Sequence, residues 1–225
     1  MASATRQKAR DSQIDLIDVS WSGFKRMLKV RGERRSPRIW YLDGRLTLVS
    51  PSMPHERSAR RLGIFVMESS TGLEMPCTPI GATTLSRDDL NIAVEGDENF
   101  YLANADQMVG KMELDLNVDP PPDLAIEVIV THSAKRAIEI DRRLGVPEVW
   151  VCSQSRLRFF RLGGDRASIE TPISSAFPFL SSAEVFSWIN QPHSVIESHW
   201  LLRLRAWVRD ELVPRVRGEE RREGE

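Results

Sequence analysis

PPPDLAIEVIVTHSAKRAIEIDRRLGVPEVWV, residues 120–151, decides the fold. Residues 123–131 are nearly continuous in apolar side chains, as in a strand buried on both faces. The pattern then changes to a helical one over about 133–144, stopped by Gly145 with Pro147 beyond it. A second apolar run, EVWVCS at 148–153, closes the unit. Two buried strands joined by a helix are expected to be parallel neighbours, because an antiparallel return would need only a short turn. One acid, Glu127, stands in the middle of the first strand between Ile126 and Val128.

Working outward, residues 38–50 read as a hairpin: RIWYL, a turn at Asp43-Gly44, then RLTLVS. Ahead of it, 19–31 has the spacing of an amphipathic helix capped by Ser20 or Ser22. Residues 56–70 read as a second helix, 90–94 and 99–102 as strands around Gly96, and 156–162 with 168–171 as an outer hairpin. A short helix is expected at 181–190 and an amphipathic one at 199–212, with Trp200, Leu204, Trp207 and Val208 on one stripe. Docking of that stripe on the chain's own core is the ordinary expectation, and a homodimer contact the alternative. The organisation expected is a disordered arm at 1–12, a folded domain at 13–190, a helical extension at 191–213 and a charged disordered tail at 214–225.

Composition bounds the rest. With 225 residues, 41% of them hydrophobic, the chain can bury a real core and is not wholly disordered. No apolar run reaches the roughly 18–20 residues of a membrane span. The basic start lacks the apolar stretch of a secretory signal. Cys77 and Cys152 lie too far apart in sequence for a zinc pair and are too few for a disulfide framework, so a cytoplasmic setting is the default. The net charge of −1 conceals an asymmetry. Residues 1–38 hold ten Lys and Arg against four acids, whereas 87–127 hold eleven acids and only Arg87 and Lys111 as bases.

The motifs of several chemistries are missing. The sequence has no G-x-G-x-x-G, no G-x-x-x-x-G-K-[ST], no H-E-x-x-H and no G-x-S-x-G. What remains is carboxylates inside strands, where charge is costly unless it is paired or bound to a metal. Glu127 is one, and Asp97, just after Gly96, is the other. Two acids from neighbouring strands make the hard oxygen site that Mg²⁺ or Mn²⁺ favours. The plainer alternative is that Glu127 pairs with an arginine such as Arg142 or Arg143.

Three stretches carry a resemblance: DGRLTLVSPSMPHERSARRLG (43–63), VEGDENFYLANADQM (94–108), and the 120–151 run. Together they resemble the Uma-type family of restriction endonuclease-like proteins, within the PD-(D/E)XK nuclease superfamily, over about residues 15–190. The resemblance implies an α/β fold with a restriction endonuclease-like mixed central β-sheet flanked by helices. It also implies metal ligands at Asp97 and Glu127, with the backbone carbonyl of Val128 beside them, and it brings His55 and Glu56 near the site. Asp123 opens the strand four residues before Glu127 and is read as a strand-start residue.

The sequence departs from the family at two places. Gly96 stands where the family has Pro, and Ile129 stands where the superfamily has its lysine. The family supplies its lysine from the following helix, and in an ungapped match that position is Ala137, with Asp141 at the place of a tyrosine one turn on. Lys135 and Arg136 are the nearby cations, but at about 100° per residue Lys135 points some 200° away from Ala137. The function expected is Mg²⁺- or Mn²⁺-dependent endonucleolytic hydrolysis of DNA, with Asp97, Glu127 and Lys135 at the reaction and His55, Glu56 and Arg136 in support. Two alternatives stand beside it: a catalytically degenerate nuclease fold that binds nucleic acid or protein, and a scaffold with no nucleic-acid role.

Overall fold

The computed structural model describes residues 10–32, 34, 36–130, 134–163, 167–192 and 194–223. Strand β1 (Ser12–Leu16) leads to helix α1 (Trp21–Arg31), whose first turn is capped by the Ser20 hydroxyl accepting the Gly23 N–H at 3.1 Å. The hairpin β2 (Arg38–Leu42) and β3 (Arg45–Ser50) follows, then the long helix α2 (Met53–Gly72), with Pro54 in its first turn. Strands β4 (Thr78–Pro79), β5 (Thr84–Arg87), β6 (Ile92–Glu95) and β7 (Glu98–Tyr101) precede β8 (Leu124–Ile129), α3 (Lys135–Leu144) and β9 (Glu148–Ser153). The outer strands β10 (Leu157–Leu162) and β11 (Ser168–Thr171) lead to α4 (Ser182–Ile189) and α5 (Glu197–Trp207). A π-turn over Val208–Leu212 continues into α6 (Val213–Glu223).

The α/β fold class is as expected, and β8 and β9 are parallel, with Glu127 beside Val151. The 120–151 unit forms because Gly145 adopts φ 89°, a conformation open to glycine, and ends α3 so that the chain can turn into β9. Instead of one sheet there are two. The mixed six-stranded sheet has the order β11-β10-β9-β8-β7-β4, and the hairpin β2–β3 builds a separate antiparallel sheet in the order β1-β3-β2-β6-β5. Helix α3 lies between them, its buried Ala137, Ile140 and Leu144 packing with Trp40, Leu85 and Val94 of one sheet and Ala125, Val149 and Val151 of the other. The far face of the mixed sheet is covered by α2, α4 and α5, through Leu62, Phe65, Val185, Trp200 and Leu204. Helix α1 covers the far face of the antiparallel sheet through Phe24.

Both chain ends differ from expectation. Residues 1–9 of the expected arm lie outside the described residues, but Asp11 is buried and Ser12–Leu16 pair with β3. The extension continues as helix to Glu223, because Leu212 and Val216 carry the apolar stripe of α5 onward into the core. No helix among the described residues is long and apolar enough to cross a membrane.

Candidate metal centre

Between β6 and β7 the chain crosses from one sheet to the other at Gly96-Asp97. The β7–β8 register pairs Glu98 with Ile126, so one step further along the ladder Asp97 stands opposite Glu127. The backbone ties the two strands there: the Asp97 N–H donates to the Ile126 carbonyl at 3.1 Å, and Asp97 Oδ2 accepts the Val128 N–H at 2.6 Å. Gly96 leaves room for the carboxylate: a Cβ at position 96 would lie 3.0 Å from Glu127 Oε1, a tight contact that the side chain would have to relieve.

Glu127 is 3% exposed, and its Oε1 has no hydrogen-bond partner among the described residues. Burial pushes its carboxyl well above the ordinary range, Asp141 across the layer pushes further, and the Arg38 guanidinium pulls the other way. The like-charge repulsion on Glu127 comes from Asp141, which reaches the same layer from α3. Burial raises the Asp141 carboxyl to about 8, and its Oδ2 is also without a partner. Arg142 and Arg143, the alternative partners for Glu127, pair with Glu139 instead, and Arg143 also with Asp43.

Asp97 is 5% exposed and crowded by cationic and imidazole nitrogens. Its Oδ1 meets the Arg38 guanidinium and lies 2.8 Å from His55 Nε2. His55, buried in the first turns of α2, turns Nδ1 toward Asp11 Oδ2 at 2.9 Å. Burial holds the imidazole below its ordinary titration range against the pull of Asp11. Glu56 is exposed and meets Arg38 at 3.0 Å. Asp123 accepts from the Leu102 and Asn104 N–H groups, a structural role as read from its position.

The two cations chosen from sequence are not at the site. Lys135 is exposed at the start of α3, while Ala137 is fully buried, which is the direction the 200° offset dictates. Arg136 donates to Asp15 at 3.0 Å and to the buried Thr47 hydroxyl, stitching α3 to β1 and β3 rather than facing the carboxylates. Sequence reasoning missed Arg38, Asp11 and Asp141. Arg38 opened a strand and Asp11 fell in a presumed arm, so neither carried a local pattern; Asp141 was identified as a match position but given no role.

The residues present fit a divalent cation. Glu127 Oε1 is an orphaned buried acceptor, Gly96 leaves it room, and a guanidinium already holds positive charge against Asp97. Among the described residues no group of three or more His, Cys, Asp or Glu side chains forms a ready cage. That suits Mg²⁺, which is commonly held by one or two carboxylates and completes its shell with water and substrate oxygens. Beyond the carboxyl ends of the parallel strands lies an open cleft of about 470 Å³, lined by Val128, Ile129, Val130, Ser58, Ser153 and Arg57 among others. In open α/β sheets this is where ligands bind.

Residues 21–195 match the model of a family described as "Uma2: Putative restriction endonuclease". No curated protein matches significantly. Among solved structures, the fold is similar to that of a chain titled as a putative nuclease belonging to DUF820 from Anabaena variabilis. The TM-score is 0.54 at 13% identity, covering 76% of this chain and 99% of that one.

Proposed function

The chain belongs to the Uma2 family, and from that premise we propose that it is a divalent-metal-dependent endonuclease that hydrolyses DNA phosphodiester bonds. The observation that carries this reading is Glu127: a carboxylate in a core strand with an oxygen left unpartnered, opposite Asp97. A buried acceptor without a donor is rare in folded proteins, and a ligand is one reason to keep it.

In this reading Asp97, Glu127 and the Val128 carbonyl hold Mg²⁺ or Mn²⁺. The ion, when bound, lowers the pKa of a water and neutralises charge on the phosphoryl group. The Val128 N–H fixes the orientation of the Asp97 carboxylate, and Asp11 fixes that of His55. The cleft beyond β8 and β9 opens on the α2 side of the sheet, and none of Asp97, Glu127, Arg38 and His55 lines it. Arg38, whose guanidinium only donates, supplies electrostatic assistance and not proton transfer. The lysine position remains vacant: Ala137 and Asp141 share the face of α3 that looks toward Glu127.

The test is relaxation of supercoiled plasmid DNA with Mg²⁺ or Mn²⁺. Wild type should nick slowly and Glu127→Ala not at all. Ala137→Lys should be faster, since assistance of this kind is typically worth about 10²–10⁴-fold. Lys135→Ala should match wild type. Equal cleavage by wild type and Glu127→Ala would remove the reading. The arginine on Asp97 favours a second reading, a degenerate fold that binds nucleic acid without cutting it; DNA binding with no cleavage by wild type or Ala137→Lys would select it.

A further inference from the structure

The contacts of His55 say more about the metal centre than the two carboxylates do. Asp11 Oδ2 lies 2.9 Å from Nδ1, and an ionised carboxylate can only accept, so Nδ1 carries the proton. On the other side Arg38 Nη1, which can only donate, lies 3.1 Å from Nε2, so in the neutral ring Nε2 presents its lone pair. Asp97 Oδ1, another acceptor, stands 2.8 Å from the same Nε2. Two lone pairs at that distance repel unless a positive group stands against both. Arg38 is that group, in contact with each.

A divalent ion would satisfy the same pair. At metal–ligand bonds of about 2.1 Å, two donors in adjacent octahedral positions are about 3 Å apart, close to the separation seen. Asp11 completes the arrangement. Its other oxygen accepts the Ser52 N–H at 2.8 Å, so it is anchored to the start of α2 and holds the ring by Nδ1. A carboxylate on the far nitrogen is the usual support of a metal-bound histidine.

We propose that His55 Nε2 is a ligand of the bound ion together with Asp97, that Asp11 is its positioning residue, and that the Arg38 guanidinium holds the ion's place until the ion displaces it. This rests on the metal-dependent reading above and deepens it. An imidazole among oxygen ligands shifts preference from Mg²⁺ toward first-row transition ions, so Mn²⁺ should bind more tightly than Mg²⁺.

The test is Mn²⁺ titrated into the full chain and followed by electron paramagnetic resonance, with electron spin-echo envelope modulation to detect a nitrogen ligand. Wild type and His199→Gln, a change at an exposed histidine of α5, should show imidazole nitrogen modulation, and His55→Gln should lose it. Asp11→Asn should weaken Mn²⁺ binding by about 10–100-fold. Arg38→Met should tighten it, because no resident cation has to leave. Circular dichroism establishes that each variant folds, and the wild-type spectrum decides the matter even if His55→Gln does not. Bound Mn²⁺ without nitrogen modulation, or modulation that survives His55→Gln, overturns the ligand assignment while leaving Asp97 and Glu127 as the metal site. Failure of wild type to bind Mn²⁺, or equal binding by Glu127→Gln, overturns the metal reading itself.

Discussion

Glu95 and Glu148 are buried in strands, as Glu127 is, but they are fully engaged. Glu95 is held by Arg31, by the Ile39 N–H at 3.1 Å and by the Thr84 hydroxyl at 2.6 Å. Glu148 accepts from Trp150 Nε1 and from the Ser175 and Ala176 N–H groups. These two are structural, and their partners lower the cost of burying charge. Glu127 Oε1 and Asp141 Oδ2 lack such a partner among the described residues. This has a consequence for stability. The Asp141 proton is held up to about pH 8 in the folded protein but lost near 3.8 once unfolded. The folded state therefore binds more protons between these values, and stability falls as pH rises through that window. Asp141→Asn has no such proton to lose. Its melting temperature relative to wild type should climb steadily from pH 4 to pH 8, read by thermal melts in matched buffers without metal. Parallel curves for the two proteins would mean that Asp141 is not held protonated by burial.

At the scale of elements, the C-terminal stripe illustrates how a helix keeps one face inward over a long run. Trp200, Leu204, Val208, Leu212 and Val216 are buried at intervals of four residues. In an α-helix each such step drifts by about 40°, so the stripe would wind away from the core. The wider π-turn over Val208–Leu212 turns the face back. It meets α2 at Gly72, where an added Cβ would overlap Val208 Cγ1. Alanine normally favours a helix over glycine by roughly 0.5–1 kcal/mol. Here Gly72→Ala should instead destabilise, by about 1–3 kcal/mol for overpacking. Adding Val208→Ala should recover part of the loss, measured by urea denaturation. Unchanged stability in Gly72→Ala would show that α5 and its continuation pack less closely than described. The amphipathic spacing of this segment was legible in sequence, and the stripe does bury within its own chain. Its continuation past residue 213 was not, because GEERRE reads as a solvated tail once Val216 is overlooked.

For the molecule as a whole, the legible parts were those encoded locally. The strand–helix–strand at 120–151 and the hairpin at 38–50 each announced themselves within one contiguous stretch. The division into two sheets did not, since it depends on β2 choosing β6 as its neighbour across more than fifty residues. The site's surroundings were hidden for the same reason. Arg38 from β2 and His55 from α2 converge on Asp97 while Asp11, just before β1, holds His55, and nothing in the spacing of an acid in an N-terminal arm or an arginine at a strand start marks them as partners. Helical geometry, by contrast, did foretell that Lys135 would face outward and Ala137 inward. The proposed cation site at Asp97 and Glu127 lies where the chain passes from one sheet to the other. Crystals soaked in Mn²⁺ and measured near the manganese absorption edge test it most directly. The expected result is an anomalous peak within about 2.0–2.6 Å of carboxylate oxygens of both residues, with Arg38 moved off Asp97. A map with Arg38 still on Asp97 and no peak beside Glu127 would contradict it.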